Sequence, residues 1–306
     1  MRIGFVGKGA LGLLYAPMAQ ERLGSQSVCF IMDDARYERH ASDVYTVNGE
    51  VVQLCDVRAS EALADGPFDL LLFAVKATGL ADALAMAEPL VGPETIVIPL
   101  LNGITSEQKC AAVFGWDRVV GCVSYGMDAA RFGTALEYTN AGALKLGLAD
   151  ASTPPAALTR ADKLLTQAGI PHEVSEDVRL DLWRKFIANV GLNQTCMVYN
   201  VCYEQLFADQ TSEMFRTYIG AMREVIAVGN AEGVPLTEGD MNDYIKVALA
   251  LDPKSRPSMA QDRINGNKSE VDEFSGEIIR LAEKHGIWVP CNRFLNARAL
   301  EIEAEY

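Results

Sequence analysis

The sequence contains few of the residues from which disulfide frameworks and metal sites are built. It has three histidines, which lie far apart at His40, His172 and His285. Its seven cysteines form no Cys-x-x-Cys pair and are scattered over the chain, at Cys29, Cys55, Cys110, Cys122, Cys196, Cys202 and Cys291. Scattered thiols in odd number are typical of buried cysteines in a reducing compartment. We therefore predict a cytoplasmic protein with no metal site.

Long apolar runs, an N-terminal signal and an excess of basic charge are also lacking. No uninterrupted apolar stretch approaches the roughly 20 residues that a membrane-spanning helix needs. The first residues run straight into a strand-like segment, so we expect no secretory signal peptide. The formal net charge of -14 repels nucleic acid and anionic membranes. We predict neither as a partner.

The first half of the chain alternates strand patterns with helical patterns. With 306 residues, 49% of them hydrophobic, the chain has room for two domains that each bury a core. Apolar runs typical of strands buried on both faces occupy residues 3–6, 28–32, 70–75 and 95–100, with helical patterns at 11–22 and 77–90. Strands that alternate with helices in this way predict a parallel sheet with right-handed crossovers.

The second half of the chain is predominantly helical. Later strand patterns at 121–125 and 143–147 and a helix at 156–168 complete the first half. Long helical patterns then cover residues 180–199, 215–232, 240–251 and 270–285. We therefore predict an α/β fold with a parallel-sheet domain at residues 1–175 and an all-helical domain at 176–306.

A glycine-rich turn joins the first predicted strand to the first predicted helix, with the sequence Gly7-Lys8-Gly9-Ala10-Leu11-Gly12. The first glycine allows the tight turn, the second lets the backbone approach a pyrophosphate, and the third lets the helix pack on the strand. The helix N-terminus then offers free N–H groups to the anion. This context predicts a dinucleotide-binding domain of the Rossmann type rather than a merely structural turn.

Asp33 follows the second predicted strand, where an acidic residue accepts hydrogen bonds from the adenosine ribose 2′-hydroxyl. A carboxylate at this position repels a 2′-phosphate and so favours NADH. In the alternative interpretation Asp33 is a solvated turn residue, and Arg36 or Arg39 could meet the phosphate of NADPH. The sequence leaves both open, and the predicted cofactor is NADPH or NADH.

Two further polar positions end predicted strands of the sheet. Lys76 follows the strand at 70–75, and Asn102 with Gly103 follows the strand at 95–100. Because ligands bind outside the carboxyl ends of parallel strands, we predict that Lys76 and Asn102 contact the cofactor. The alternative is a surface lysine and an ordinary Asn-Gly turn.

A polar stripe runs along the first long helical pattern of the second half. Lys185, Asn189 and Asn193 are spaced i, i+4 and i+8 among apolar neighbours. Such a stripe needs polar partners or a lined cavity. Reduction of a ketone needs a hydride on carbon and a proton on the developing alkoxide, and a lysine ammonium can stabilise that charge and donate the proton. The alternative is a lysine that reaches solvent along its aliphatic stem.

Ser258 and Glu270 lie in a third polar segment. On one straight helix they would be about 18 Å apart along the axis. The sequence Asn265-Gly266-Asn267 predicts a break, and Ser269 begins a new helix in a pattern typical of an N-cap. A bend there could bring Ser258 and Glu270 to one pocket. On the residues alone, Glu270 is interpreted as a glutamate of the first helical turn rather than as a site residue.

Together these motifs resemble the ketopantoate reductase (2-dehydropantoate 2-reductase) family over about residues 3–290. The glycine motif is generic. The stripe headed by Lys185, and the segment Ser258-Met259-x-Gln261-Asp262 followed by Glu270, are specific. The resemblance implies an N-terminal Rossmann domain, a C-terminal helical domain and an active site in the cleft between them. It also implies an oxidoreductase of pantothenate biosynthesis that reduces 2-dehydropantoate to (R)-pantoate with NADPH.

The resemblance assigns roles to the candidate residues. It implies that Lys185 is the general acid and that Glu270 binds a substrate hydroxyl or orients the lysine. It implies that the substrate is held by Asn102, Asn189, Asn193 and Ser258.

The sequence departs from the family pattern at two places. Asp33 stands where most relatives carry an arginine for the 2′-phosphate, and Cys202-Tyr203-Glu204 lacks the glycine of the usual turn after the lysine helix. Both departures favour the alternative of an NADH-dependent reductase of another branched 2-oxo acid. Lys185 and Glu270 argue against a third alternative, a non-catalytic dinucleotide sensor. The apolar helices of the second half could bury a dimer interface, and we favour a homodimer.

Overall fold

The computed structural model describes residues 1–306 and divides into two units. Unit 1 comprises Met1–Leu101 and Thr105–Arg179, and unit 2 comprises Asn102–Ile104 and Leu180–Tyr306. The functional roles that the sequence assigns to residues 1–175 and 176–306 stay a prediction. None of the helices is both long enough and apolar enough to cross a membrane.

Three sheets lie in unit 1. Their strands are β1 (Ile3–Val6), β2 (Val28–Met32), β3 (Tyr45–Val47), β4 (Glu50–Val52), β5 (Asp56–Arg58), β6 (Leu70–Phe73), β7 (Ile96–Pro99), β8 (Gly121–Met127), β9 (Ala130–Phe132), β10 (Ala135–Glu137), β11 (Ala141–Gly147) and β12 (His172–Val174). The largest sheet has the order β5-β2-β1-β6-β7 and is parallel throughout. The predicted parallel sheet is therefore confirmed.

Unit 1 contains six helices, α1 (Ala10–Leu23), α2 (Asp34–His40), α3 (Ala59–Ala64), α4 (Leu80–Ala87), α5 (Ser106–Phe114) and α6 (Pro155–Ala168). The sequence predicts α1, α4 and α6, and the short helices α2, α3 and α5 were not predicted. The helix predicted at 77–90 is α4 flanked by 3₁₀ turns at Ala77–Gly79 and Glu88–Leu90. Gly169 ends α6 as predicted, in a left-handed conformation that glycine adopts without steric cost.

The parallel sheet is buried on both faces, because helices cover each side. Phe5 and the inner face of α1, including Leu13, belong to one apolar cluster. Val6 points to the other face, where Leu84 of α4 and Cys110 of α5 pack. Successive strand residues thus alternate between two cores, which explains why the strands are continuous apolar runs.

Two smaller sheets contain strands that the sequence patterns show only in part. The strands predicted at 121–125 and 143–147 are β8 and β11, which pair antiparallel in a sheet of order β12-β11-β8. A four-stranded sheet of order β4-β3-β10-β9 was not predicted. Its strands have three residues each, too few to show an alternating pattern.

Helices make up unit 2. They are α7 (Val178–Ala188), of which residues 180–188 belong to this unit, α8 (Gln194–Tyr199), α9 (Tyr203–Phe207), α10 (Glu213–Ala231), α11 (Glu238–Ala250), α12 (Ser258–Ile264), α13 (Glu277–His285) and α14 (Pro290–Glu303). Phe186 lies at the centre of the core, with its ring edge-on to Trp183 at 5.9 Å and to Phe274 at 6.0 Å. The predicted all-helical character of the second half is confirmed.

Two of the predicted helices contain a π-helical turn. The helix predicted at 180–199 is interrupted at Asn189–Asn193, and the helix predicted at 270–285 begins with a π-turn at Asp272–Gly276. A π-turn inserts an extra residue into the helix and is frequent at functional sites. Hydrophobic periodicity does not reveal such a turn, because only one residue shifts.

Candidate functional site

The glycine-rich turn between β1 and α1 has the backbone geometry of a dinucleotide-binding loop. Gly7 has a φ of +101°, which residues with a side chain rarely adopt. A Cβ on Gly9 would collide with the carbonyl oxygen of Ala74, at the end of β6. The first turn of α1 contains no acidic side chain, so its exposed N–H groups and positive dipole end suit an anion.

The sequence predicts Lys8 as a cofactor contact, and in the structure its side chain forms an ion pair with Asp56. Its Nζ lies 2.6 Å from Oδ2 of Asp56 at the start of β5 and 4.3 Å from the centroid of the Tyr45 ring. The lysine side chain is only 7% exposed. The ammonium group of Lys8 is therefore engaged in an ion pair. Only the main chain of Lys8 could then contact a cofactor.

Arg131 also contacts the glycine-rich turn, and the sequence reasoning missed it. Its Nη1 donates to the carbonyl of Lys8, and its Nε donates to the carbonyl of Gly133 at 2.8 Å. Both contacts depend on the turn between the three-residue strands β9 and β10. No sequence signal short of recognising that hairpin could have found Arg131.

Asp33 caps helix α2. Its Oδ1 accepts a hydrogen bond from the backbone N–H of Arg36 at 2.8 Å, and its Oδ2 lies 3.5 Å from the Arg36 guanidinium. An aspartate at an N-cap satisfies one of the free N–H groups of the first turn. Asp33 thus has a structural contribution besides its predicted place at the ribose. Its side chain remains 43% exposed.

Lys76 lies where the sequence predicts it, just beyond β6. Its extended backbone leads into the 3₁₀ turn at Ala77–Gly79, and the residue is exposed. The neighbouring Ala74 is the residue whose carbonyl excludes a side chain at Gly9. The end of β6 thus adjoins the glycine-rich turn, as expected for the carboxyl edge of a parallel sheet.

Asn102 follows β7 but belongs to unit 2. Its Nδ2 donates to Oε2 of Glu270 at 3.4 Å, and the two residues are 168 positions apart in the chain. Gly103 has a φ of +98°, which allows the chain to turn here. Glu270 is 9% exposed, so the amide group supplies a donor to a largely buried carboxylate.

The polar stripe of α7 continues through the first π-turn. Lys185 and Asn189 are half-buried, and Asn193 is 8% exposed. Over eight residues a regular α-helix would rotate a side chain by roughly 80° past its starting direction. The wider π-turn at Asn189–Asn193 reduces this drift and keeps the three side chains closer to one line.

Asn193 connects the stripe to Ser258. Its Oδ1 accepts from Oγ of Ser258 at 3.0 Å and from the backbone N–H of Met259 at 3.4 Å. The side-chain oxygen therefore holds the first turn of α12. The break predicted at 265–267 is present, because α12 ends at Ile264.

A buried carboxyl near the start of α5 was not predicted. Glu107 is 3% exposed, accepts from Oγ of Ser106 at 3.0 Å and from the backbone N–H of Cys122 at 3.5 Å. Burial raises the pKa of Glu107, and these hydrogen bonds act in the opposite direction. The helical pattern of α5 gives no sign that this glutamate points inward.

The structure thus distributes the predicted site residues over the two units. The turn at 7–12, Asp33 and Lys76 lie in unit 1. Six predicted residues lie in unit 2, namely Asn102, Lys185, Asn189, Asn193, Ser258 and Glu270. A parallel sheet with a glycine-rich turn after its first strand, and a helical unit with a lysine–asparagine stripe, have the pattern of a class, the two-unit dinucleotide-dependent oxidoreductases.

Comparison with known families identifies the group within this class. The profile described as "Ketopantoate reductase PanE/ApbA" matches residues 3–151, and the profile described as "Ketopantoate reductase PanE/ApbA C terminal" matches residues 177–303. The chain therefore belongs to the ketopantoate reductase family, whose members are NAD(P)H-dependent oxidoreductases. The resemblance inferred from the motifs is confirmed.

Individual relatives match over most of their length. The 2-dehydropantoate 2-reductase of Caulobacter vibrioides is 29% identical over 308 residues, covering 97% of this chain and 99% of the relative. The 2-dehydropantoate 2-reductase of Streptococcus pyogenes serotype M1 is 29% identical over 248 residues, covering 80% and 79%.

Solved structures of similar proteins share the fold. The 2-dehydropantoate 2-reductase of Geobacter metallireducens GS-15 superposes with a TM-score of 0.85 at 26% identity, over 98% of this chain and 99% of the other. A PanE/ApbA family ketopantoate reductase from Ralstonia eutropha JMP134 gives a TM-score of 0.84 at 26% identity, over 100% and 99%. The predicted fold class is confirmed.

Proposed function

We propose that this protein reduces 2-dehydropantoate to (R)-pantoate by hydride transfer from a nicotinamide cofactor. One observation in unit 2 carries the proposal. Four polar residues that are distant in sequence are joined in pairs, Asn102 with Glu270 and Asn193 with Ser258. These are residues through which members of the family are expected to hold a small 2-oxo acid. The matched relatives, named 2-dehydropantoate 2-reductases, support the same substrate.

Lys185 is the proposed general acid. When bound, the nicotinamide supplies the hydride that reduces the keto carbon. The Lys185 ammonium stabilises the negative charge that develops on the keto oxygen and then gives that oxygen a proton. Asn189 and Asn193 share its helical stripe and donate to the substrate, while Glu270 accepts from a substrate hydroxyl or orients the lysine.

The glycine-rich turn is the proposed site of the cofactor pyrophosphate. The backbone N–H groups at the start of α1 would hold the anion, and Lys8 would contribute its main chain, since Asp56 occupies its ammonium group. Lys76, at the end of β6, is the proposed contact to the nicotinamide half, together with Asn102.

We propose NADH as the preferred cofactor. Arg36 contacts Asp33 itself and Arg58 pairs with Asp34 and Glu38, while Arg39 of helix α2 is exposed. A 2′-phosphate at the end of β2 would meet the carboxylates of Asp33 and Asp34, and like charges repel each other. A ribose 2′-hydroxyl would find an acceptor in Asp33.

A substrate panel tests the proposed reaction. Purified protein would be assayed with 2-dehydropantoate and with other branched 2-oxo acids, and the chirality of each product determined. We expect the highest kcat/KM for 2-dehydropantoate and an (R) product. A higher kcat/KM for another 2-oxo acid would replace the substrate while leaving the reductase assignment intact. Cytoplasmic location and the homodimer stay predictions from the sequence.

A further inference from the structure

The two π-turns of unit 2 are joined by one buried side chain, that of Gln194. Its Nε2 donates to the carbonyl of Val190 at 2.8 Å, and its Oε1 accepts from the backbone N–H of Ser275 at 3.1 Å. Both Gln194 and Ser275 are fully buried, at 0% exposure. The bridge therefore lies in the core of unit 2 and touches only backbone groups.

Each end of the bridge satisfies a backbone group at a π-turn. In a regular α-helix the N–H of Gln194 would bond to the carbonyl of Val190, but here it bonds to Gly191. The N–H of Ser275 would bond to the carbonyl of Val271, but that carbonyl accepts from the N–H groups of Phe274 and Gly276 and from Oγ of Ser275. The side-chain amide of Gln194 replaces the missing helical partner at each turn, because it donates to the carbonyl of Val190 and accepts from the N–H of Ser275. Buried backbone groups need such partners.

The two π-turns carry the residues of the proposed reaction. The first comprises Asn189–Asn193, which continues the stripe of Lys185, and the second begins directly after Glu270 and Val271. Ser275 is held further by Asn296, whose Nδ2 donates to its Oγ at 3.1 Å. A displacement of either π-turn would change the distance between Asn193 and Glu270.

We propose that Gln194 is a positioning residue for the reduction. It fixes the spacing between the lysine–asparagine stripe and Glu270 by clamping the two π-turns together. This role rests on the proposed function, because the stripe and Glu270 are assigned there to the substrate. Gln194 does not touch the reacting atoms and acts through the backbone of the residues that do.

Gln194→Met tests the clamp, because methionine has a similar length and no amide. We expect kcat with 2-dehydropantoate to fall by about 10- to 100-fold, as small misplacements of reacting groups do. The Kd for cofactor, which unit 1 would bind, is expected to stay unchanged. Thr195→Val is the matched control, because the adjacent Thr195 is equally buried and its Oγ1 has no hydrogen-bond partner.

Hydrogen exchange at single amides tests the bridge without turnover. In the Gln194→Met protein the Ser275 amide should exchange faster than in wild type, while amides of the parallel sheet stay protected. If Ser275 stays equally protected, or if kcat falls no more than in Thr195→Val, the proposal is wrong. A general loss of cofactor affinity and protection together with kcat would also overturn it.

A second variant covers the case in which the methionine protein does not fold. Gln194→Glu keeps an acceptor for the Ser275 amide, and because burial favours the neutral carboxylic acid, its O–H can also donate to the carbonyl of Val190. We expect kcat close to that of wild type and a protected Ser275 amide, and a fall in kcat of about 10-fold or more with Ser275 still protected would overturn the clamp. Failure of wild-type protein to reduce 2-dehydropantoate would reject the proposed function, whereas the exchange result at Ser275 would still decide the bridge.

Discussion

Lys185 is the residue on which the proposed chemistry depends most. It is half-buried on α7 beside Phe186, and it heads the polar stripe. We predict that Lys185→Met lowers kcat by about 10²- to 10⁴-fold, the usual contribution of a general acid. Cofactor titration should give an unchanged Kd. If Lys185→Met turned over at the wild-type rate, Lys185 would not be the proton donor.

Asp33 combines two contributions that a pair of substitutions separates. Asparagine keeps a cap for α2 without the charge, whereas alanine removes both. We predict that Asp33→Asn and Asp33→Ala each raise the ratio of kcat/KM for NADPH to that for NADH. Thermal unfolding should show that only Asp33→Ala destabilises the protein, by about 1 kcal/mol. Unchanged cofactor ratios in both variants would mean that Asp33 does not face the ribose.

Glu107 makes the stability of the protein depend on pH. Because burial raises its pKa, the folded protein keeps this proton at pH values where the unfolded chain, with an ordinary value of 4.5, has released it. The folded state then binds more protons, so this group lowers the free energy of unfolding as pH rises from 4.5 through the folded pKa. We predict that Glu107→Gln removes this part of the pH dependence, as measured by urea unfolding at several pH values.

The control for Glu107 is a glutamate without burial. Exposed Glu137 changed to glutamine should leave the slope of stability against pH as in wild type. If the Glu107→Gln and wild-type curves ran parallel, Glu107 would titrate alike in the folded and unfolded chains.

At the scale of elements, an ion pair between Lys8 and Asp56 connects the glycine-rich turn to strand β5. Lys8 and Asp56 lie 2.6 Å apart, with side chains 7% and 24% exposed. We predict that Lys8→Met raises the Kd for the cofactor and destabilises the protein by about 1–3 kcal/mol, because it leaves Asp56 without its partner. Adding Asp56→Asn should recover part of both losses, which a double-mutant cycle measures. Additive losses in stability would show that the pair is not coupled.

The elements that the sequence predicts best are those whose pattern extends over several turns or strands. The four strands at 3–6, 28–32, 70–75 and 95–100 are all present in the parallel sheet. The first two have the predicted bounds, and the ends of the other two are displaced by one or two residues. The strands β3, β4, β5, β9, β10 and β12 were missed, since three residues cannot show a period. The π-turns were missed because a one-residue insertion leaves the hydrophobic pattern of a helix nearly intact.

For the candidate site, the sequence predicts residue types at strand and helix ends but not the direction of their side chains. Lys8 was predicted as a cofactor contact, and only the structure shows that its ammonium pairs with Asp56. The hydrogen bond of Asn102 to Glu270 joins residues 168 positions apart, which no local pattern encodes. No sequence pattern distinguishes Gln194 from other helical residues, because its proposed role depends on two π-turns that lie next to each other in the core of unit 2.

At the scale of the whole molecule, the proposed cofactor contacts lie in unit 1 except for Asn102, and the proposed substrate contacts lie in unit 2. Unit 1 contains the glycine-rich turn, and unit 2 contains the stripe and Glu270. The short segment Asn102–Ile104 belongs to unit 2 although the chain on both sides of it belongs to unit 1. The two family profiles, at residues 3–151 and 177–303, fall almost entirely in units 1 and 2 respectively.

The most direct test is the initial rate of 2-dehydropantoate reduction with NADH and with NADPH in parallel, at matched concentrations. We predict turnover that depends on 2-dehydropantoate, a higher kcat/KM with NADH and loss of turnover in Lys185→Met. A higher kcat/KM with NADPH would contradict the cofactor preference alone. Absence of turnover with both cofactors, in protein that binds either one, would contradict the proposed reaction itself.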